Sequence, residues 1–165
     1  MTAESNVANI ETSERAQAVA EPLHVLVYRS HSLVPKADTD AELAHILRSA
    51  RANNAALGIT GALMFYENWF AQVLEGPQAA VRALYETIKA DPRHNGVELL
   101  HEGGAAHRAF ERWAMAHVGE HGDPDIPLMA VGDHVAPAAA WRTNDAQEAL
   151  LGQLRQATRG YGRGS

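Results

Sequence analysis

Residues 57–77, LGITGALMFYENWFAQVLEGP, predict a tight β-hairpin with a polar residue on its apolar face. In the second strand, Gln72 alternates onto the same face as Phe70 and Leu74. An amide that is buried without hydrogen bonds costs about 1–3 kcal/mol. This glutamine therefore needs either a locally polar core or a ligand to satisfy its donors and acceptors.

The candidate first strand, LHVLVYRS, carries a second polar group on an apolar face. Alternation places Tyr28 with Leu26, whereas Val25 and Val27 point to the other side of the sheet. Tyr28 is the natural partner for Gln72, because both lie on core-facing positions. The alternative is an ordinary core in which a buried tyrosine bonds a structural glutamine.

Composition narrows the class of protein. A chain of 165 residues with 46% hydrophobic and 21% charged residues is sufficient for one globular core. No apolar run approaches the roughly 20 residues that a membrane helix needs, and the N-terminus does not resemble a secretory signal. A net charge of −6 disfavours nucleic-acid binding. We therefore expect a cytoplasmic protein with neither a membrane nor a nucleic-acid partner.

The first helix is marked by Thr39 and Glu42, which fit a capping box. It is predicted to end near Asn53 and Asn54, with Asn53 as the expected cap. A second helix begins at residues 76–77 and ends before Asp91. Their apolar stripes are Leu43, Ile46, Leu47 and Ala50 on the first helix and Val81, Leu84, Tyr85 and Ile88 on the second.

Together with the strands, these helices predict an α+β fold. The order βαββαββ is that of a ferredoxin-like sheet with two helices on one face, followed by a C-terminal helical extension. A C-terminal helix over 145–158 could pack on the open face of the sheet or mediate oligomerisation, and we favour packing. The later strands are predicted at 59–66, 69–74, 97–100 and 113–118.

Four segments follow from this organisation. They are a flexible N-terminal arm (1–21), the main domain (22–119), a connector rich in Gly, Pro and Ala (120–142), and the C-terminal helix with its tail (143–165).

Six motifs carry a resemblance to a known family. They are YRS at 28–30, ARANN ending at Asn54, GITGAL at 58–63, FAQVLEGP around Gln72, DPRH at 91–94, and R-x-F-x-x-W-x-M at 108–115. Together they resemble a BLUF domain, a sensor of blue light using FAD, over about residues 22–119. The resemblance implies non-covalent FAD with its ring held between the two helices.

The resemblance also implies cofactor contacts. Ile46 and Ile88 would clamp the two faces of the ring, although they could instead be core residues that pack on each other. Asn54 would bind the pyrimidine edge, the competing explanation being a helix cap. The remaining implied contacts are Ser30 of the YRS motif, Asp91 to the ribityl hydroxyls, Arg93 to the pyrimidine edge or phosphate, and His94 beside the ring.

The implied photochemistry depends on the first two residues. Tyr28 would supply an electron and a proton to the light-excited flavin, and Gln72 would bridge the two and then rotate or tautomerise. This rearrangement would leave a reversible red-shifted state. Trp113 and Met115, two residues apart and expected on one face of strand five, would transmit the signal. The simpler interpretation makes them a large core residue and a gap filler.

The response to light is expected to be produced by another protein. The roughly 46 residues after strand five resemble those of short BLUF proteins that act through an effector protein in trans, and a homo-oligomer is expected. No catalytic set or metal-ligand spacing is recognisable, so an enzyme is disfavoured; its best cases are an acylphosphatase-like hydrolase and a flavin oxidoreductase. The main alternative is a flavin-free interaction module of the same fold.

Overall fold

A computed structural model of the chain describes residues 22–119, 124–131, 134–137 and 145–159. The predicted N-terminal arm, 1–21, lies outside these residues. The strands are β1 (Leu23–Ser32), β2 (Thr60–Tyr66), β3 (Trp69–Pro77), β4 (His94–Ala105), β5 (Ala116–Gly119), β6 (Ile126–Val131) and β7 (His134–Pro137), and the helices are α1 (Thr39–Leu57), α2 (Gln78–Ala90) and α3 (Asp145–Arg159).

The strands form one mixed sheet in the order β4-β1-β3-β2-β5-β6-β7. β1 pairs antiparallel with β3 and β4, and β2 pairs antiparallel with β3. β5 joins β2 in parallel, because the chain crosses from the far edge of the sheet to reach it. The predicted βαββαββ order and the two helices on one face are confirmed.

The central hairpin reverses direction in two residues. Tyr66 pairs with Trp69, and between them Glu67 and Asn68 have φ of 46° and 70°. Two positive φ values are the signature of a type I′ turn, whose twist matches that of the flanking strands. Gly61 lets the strands approach closely, since a Cβ there would lie 1.9 Å from a backbone oxygen of β3.

The first helix begins at Thr39, but both predicted caps are wrong. Thr39 already has helical φ and ψ because a 3-10 turn, Lys36–Asp38, leads directly into α1, so Thr39 cannot form the cap of a capping box. At the other end, α1 continues past Asn53 to Leu57 and is capped by Gly58, whose φ of 70° is left-handed. Neither asparagine is therefore the cap.

Two apolar clusters lie on opposite faces of the sheet. Alternation along β1 separates them as predicted, with Leu26 and Tyr28 facing α1 and α2, and Val25 and Val27 facing α3. The predicted apolar stripes of α1 and α2 all belong to the first cluster. Both faces of the central strands are consequently buried.

The later part of the chain departs from prediction in two ways. β4 is longer than the predicted 97–100, and it pairs with β1 through two register irregularities. The predicted connector, 120–142, contains β6 and β7, which extend the sheet beyond β5. These strands were not predicted, because this segment is rich in Gly, Pro and Ala and its alternation of apolar and polar residues is weak.

The C-terminal helix packs on the sheet, as the favoured alternative predicted. Leu151 and Leu154 of α3 are fully buried against the cluster that contains Val25 and Val27. Ala149 of the same helix is exposed.

Candidate functional site

A cavity of about 170 Å³ opens between α1 and α2, above β1 and β3. Its wall combines apolar side chains with a few polar groups, as is typical of cofactor sites. Eight of the predicted site residues line it. These are Tyr28, Ile46, Asn54, Gln72, Ile88, Asp91, Arg93 and His94.

Tyr28 and Gln72 are direct cross-strand neighbours on β1 and β3, and both are buried. The Tyr28 hydroxyl donates a hydrogen bond to Gln72 Oε1. The Gln72 amide nitrogen donates to Met115 Sδ at 3.3 Å, and a thioether is a weak acceptor. The amide thus has one firm partner and one weak partner, at the edge of a cavity.

Burial raises the pKa of Tyr28 well above its usual value, and the neighbouring Tyr85 and Asp91 raise it further. The phenol therefore remains protonated at all ordinary pH values. A neutral phenol has one proton to donate, and in this structure Tyr28 donates it to the glutamine oxygen.

Asn54 presents an unsatisfied acceptor. Its Nδ2 donates to the Ala114 carbonyl at 3.1 Å, whereas its buried Oδ1 makes no hydrogen bond within the described part of the chain. Such an atom is costly unless a ligand supplies a donor. Because Asn54 lines the cavity, this orphan acceptor fits the N–H of a flavin pyrimidine ring.

Arg93 and Asp91, which both line the cavity, form an ion pair. The guanidinium donates to both carboxylate oxygens, the shortest contact being 2.6 Å, and the Arg93 backbone amide donates to Asp91 Oδ1 at 2.9 Å. These bonds hold the pKa of the Asp91 carboxyl below its usual range. A bidentate pair leaves Arg93 less available for a phosphate than its charge alone suggests.

His94 begins β4, and its ring centroid lies 6.3 Å from that of Tyr28. Its Nδ1 shares a hydrogen bond of 2.6 Å with the Ser30 hydroxyl, and its ring lies 4.6 Å from that of Phe70. Burial lowers the pKa of His94, and Arg93 lowers it further while Asp91 opposes the shift. Ser30 does not itself line the cavity, so its connection to the site runs through His94.

Ile46 and Ile88 face the cavity from α1 and α2 and are only partly buried. Both side chains therefore border open space.

The predicted placement of Trp113 and Met115 on one face of strand five is wrong. β5 begins only at Ala116, so both residues precede it in irregular backbone. Met115 is fully buried in the cluster that faces α1 and α2, whereas Trp113 packs against the cluster that faces α3. Outside a strand, residues two apart need not share a face.

Several residues that were not predicted as site residues also line the cavity. They are Phe70, Leu63, Ser49 and Asn53. The core-facing positions of Phe70 and Leu63 were a usable signal, because Leu63 pairs with Gln72 across the hairpin and Phe70 lies two residues before Gln72 on the same strand.

Glu75 is a further buried polar residue that sequence reasoning missed. Its carboxylate accepts the backbone amides of Ala109 and Phe110 at 2.6 and 2.9 Å, and the Thr60 hydroxyl at 3.0 Å. These bonds anchor the segment that leads to Met115. A carboxylate two residues beyond Val73 on the core strand was the available signal.

The described residues hold no group of three or more His, Asp or Glu side chains that could bind a metal ion. Among the described helices, none is both long and apolar enough to span a membrane.

Comparisons with known proteins agree with this site. Residues 23–116 match the family described as sensors of blue-light using FAD, abbreviated BLUF. A photoactivated adenylate cyclase subunit beta of Euglena longa is 37% identical over 99 residues, which are 59% of this chain and 11% of that protein. The blue light- and temperature-regulated antirepressor BluF of Escherichia coli (strain K12) is 37% identical over 87 residues, which are 52% of this chain and 21% of that protein.

A solved structure shares the fold. The dark state structure of BlrB, a BLUF protein, matches with a TM-score of 0.56 and 36% identity, covering 59% of this chain and 72% of that chain. This chain spans only about a tenth of the cyclase subunit and about a fifth of the antirepressor. The matched residues contain the whole cavity described above. The chain belongs to the BLUF family.

Proposed function

We propose that this protein is a blue-light photoreceptor that binds FAD non-covalently in the cavity between α1 and α2. The proposal is carried by one observation, the buried phenol of Tyr28 donating to the buried amide of Gln72 in the cavity wall. When bound, a flavin supplies blue-light absorption and an excited state that accepts an electron. Membership of the family supports this reading.

The cofactor contacts divide between apolar walls and polar edges. Ile46 and Ile88 would pack against the two faces of the ring, since they border the cavity from opposite helices. Asn54 would accept from a ring N–H through the oxygen that has no partner among the described residues. Asp91 would meet the ribityl hydroxyls, with Arg93 as its charge partner.

His94 and Ser30 complete the proposed site. The Ser30 hydroxyl fixes the imidazole through its bond to Nδ1, so the ring stays beside Phe70 and the cavity. Because its pKa is lowered, His94 would contact the cofactor as a neutral group.

Tyr28 is the proposed electron and proton donor. Burial makes ionisation of the ground-state phenol costly, so its electron and proton would leave together. The hydrogen bond to Gln72 gives the proton a path. Both particles return to Tyr28 within the cycle, which therefore has no net product, and the protein acts as a reversible switch rather than an enzyme.

Gln72 is the proposed switch. In the present arrangement Oε1 accepts from Tyr28 and Nε2 donates to Met115. Rotation would turn Oε1 toward a sulfur that has no proton to donate, and tautomerisation would likewise redistribute the amide's donors and acceptors. Either change gives a new hydrogen-bond pattern at the cavity edge, which would produce the reversible red shift and alter the contact with Met115.

Met115 and Trp113 would carry the change onward to a downstream effector protein in trans. Two relatives are a cyclase subunit and an antirepressor, so the family serves different outputs. The homo-oligomer and the cytoplasmic location expected from the sequence remain predictions.

The experiment is an absorption spectrum of the purified chain, reconstituted with FAD, before and after a blue flash and during dark relaxation. An oxidised-flavin spectrum that shifts red and returns in the dark is expected. Bound flavin without any shift would contradict the photoreceptor proposal. Failure to bind flavin would instead favour an interaction module of the same fold.

A further inference from the structure

One guanidinium joins three parts of the molecule. Arg51 of α1 donates from Nε to the Met115 carbonyl at 3.1 Å and from Nη2 to Asp125 Oδ2 at 2.8 Å. The same carboxylate oxygen accepts the backbone amide of His117 in β5 at 2.8 Å. A planar guanidinium can donate in two directions at once, which a lysine ammonium does less rigidly.

Helix α1 holds two consecutive carbonyls of the segment before β5. Arg51 binds that of Met115, and Asn54, one turn later, binds that of Ala114. Residues three apart on a helix are neighbours on its surface, so the two hydrogen bonds hold the same short segment of chain. The opposite end of this stretch is fixed by Glu75 through the backbone amide of Ala109.

The stretch held by Arg51 is the one whose side chain contacts the proposed switch. Met115 Sδ lies 3.3 Å from Gln72 Nε2. The Met115 side chain has three rotatable bonds, so it can easily move away from Gln72. This weak contact is therefore kept only if the Met115 backbone is held in place. On the far side, Asp125 directly precedes β6, so a shift at Met115 would reach the sheet extension through the same guanidinium.

We infer that Arg51 is a positioning residue that fixes Met115 against Gln72 and couples this contact to β6 through Asp125. The inference rests on the proposed photocycle. Arg51 and Asp125 side chains are 46% and 31% exposed, so their ion pair contributes little to overall stability. The effect of Arg51 should therefore appear in the photocycle rather than in the melting temperature.

The test compares Arg51→Gln with Arg48→Gln, which removes the same charge from an exposed position on the same helix. In Arg51→Gln, dark recovery is expected to slow by about fivefold, since return requires Met115 to be recaptured without one charged hydrogen bond. Arg48→Gln should recover at the wild-type rate. Equal recovery in wild type and Arg51→Gln would overturn the inference.

A conservative variant separates bridging from charge. Arg51→Lys keeps the positive charge and can pair with Asp125, but it lacks the planar fork. Its recovery should remain slow or be only partly restored. Full restoration by lysine would contradict a bridging role.

A measurement without light distinguishes this inference from the proposed function. The methyl NMR resonance of Met115, assigned by its loss in Met115→Leu, should move in Arg51→Gln and stay in place in Arg48→Gln. An unmoved resonance would refute positioning even if the photocycle exists. If wild type shows no photocycle, the proposed function fails, and with it the role of Arg51 in signalling.

Discussion

The Tyr28 hydroxyl donates to Gln72 Oε1 across two neighbouring strands, and the two residues are paired in the register of β1 and β3. Both side chains are buried, and both border the cavity between the helices. The sheet itself therefore fixes the relative position of donor and amide. A site on rigid strands keeps its geometry more faithfully than one on loops.

Replacing Tyr28 by phenylalanine should abolish the light-induced shift while flavin stays bound. The change removes only the hydroxyl that donates to Gln72, so the shape of the core is kept. Tyr85→Phe is the matched control, because its ring lies 5.7 Å from that of Tyr28. Flash spectra of both variants test this, and a normal shift in Tyr28→Phe would refute Tyr28 as the donor.

Removing the orphan acceptor should weaken flavin binding. Asn54→Ala is expected to raise the flavin Kd by roughly tenfold, the equivalent of one buried hydrogen bond to a neutral group. Asn53→Ala, at an exposed position on the same cavity, should change the Kd by much less. Fluorescence titration measures both constants. Equal affinities for Asn54→Ala and wild type would show that this oxygen does not meet the cofactor.

Met115 and Trp113 should differ in their effect on the photocycle, because they lie in different clusters. Met115→Leu conserves volume but removes the sulfur that accepts from Gln72, so dark recovery should slow by about threefold. Trp113→Phe should change it less. Time-resolved absorbance after a flash gives both rates, and the reverse ranking would contradict this assignment.

His94 should make stability depend on pH. Burial lowers the pKa of His94 in the folded protein, whereas the pKa of an unfolded histidine is about 6.5. The unfolded chain therefore binds the proton more tightly, and stability is lost as the pH falls below about 6.5 toward the folded pKa. Melting temperatures between about pH 7.5 and about pH 5.5 should fall more steeply in wild type than in His94→Gln.

The control for this titration is His45→Gln, an exposed histidine on α1. It should retain the wild-type slope of melting temperature against pH. Identical slopes in wild type and His94→Gln would show that His94 does not contribute.

Much of the fold followed from local patterns. Alternation along β1 and β3 predicted which side chains meet, and helical spacing predicted the buried stripes of α1 and α2. The cap at Thr39 failed because a preceding 3-10 turn, which has no periodic signal, made that residue helical. The strands β6 and β7 were missed because their part of the chain, rich in Gly, Pro and Ala, shows only weak alternation of apolar and polar residues.

The site was predictable where residue type and position both signal chemistry. Gln72 and Tyr28 were recognisable as polar residues on apolar strand faces, and the two are hydrogen-bonded to each other. Trp113 and Met115 were misplaced because β5 begins later than the pattern predicted. Arg51 binds Met115 and Asp125, which lie 64 and 74 positions later in the sequence. No local sequence pattern encodes such distant contacts.

The most direct test of the switch is the flash spectrum of Gln72→Leu beside that of wild type, at equal flavin occupancy. The leucine can neither accept from Tyr28 nor donate to Met115. We predict that wild type shifts red and relaxes in the dark, whereas Gln72→Leu binds flavin and shows no shift. A reversible red shift of normal size in Gln72→Leu would contradict the account.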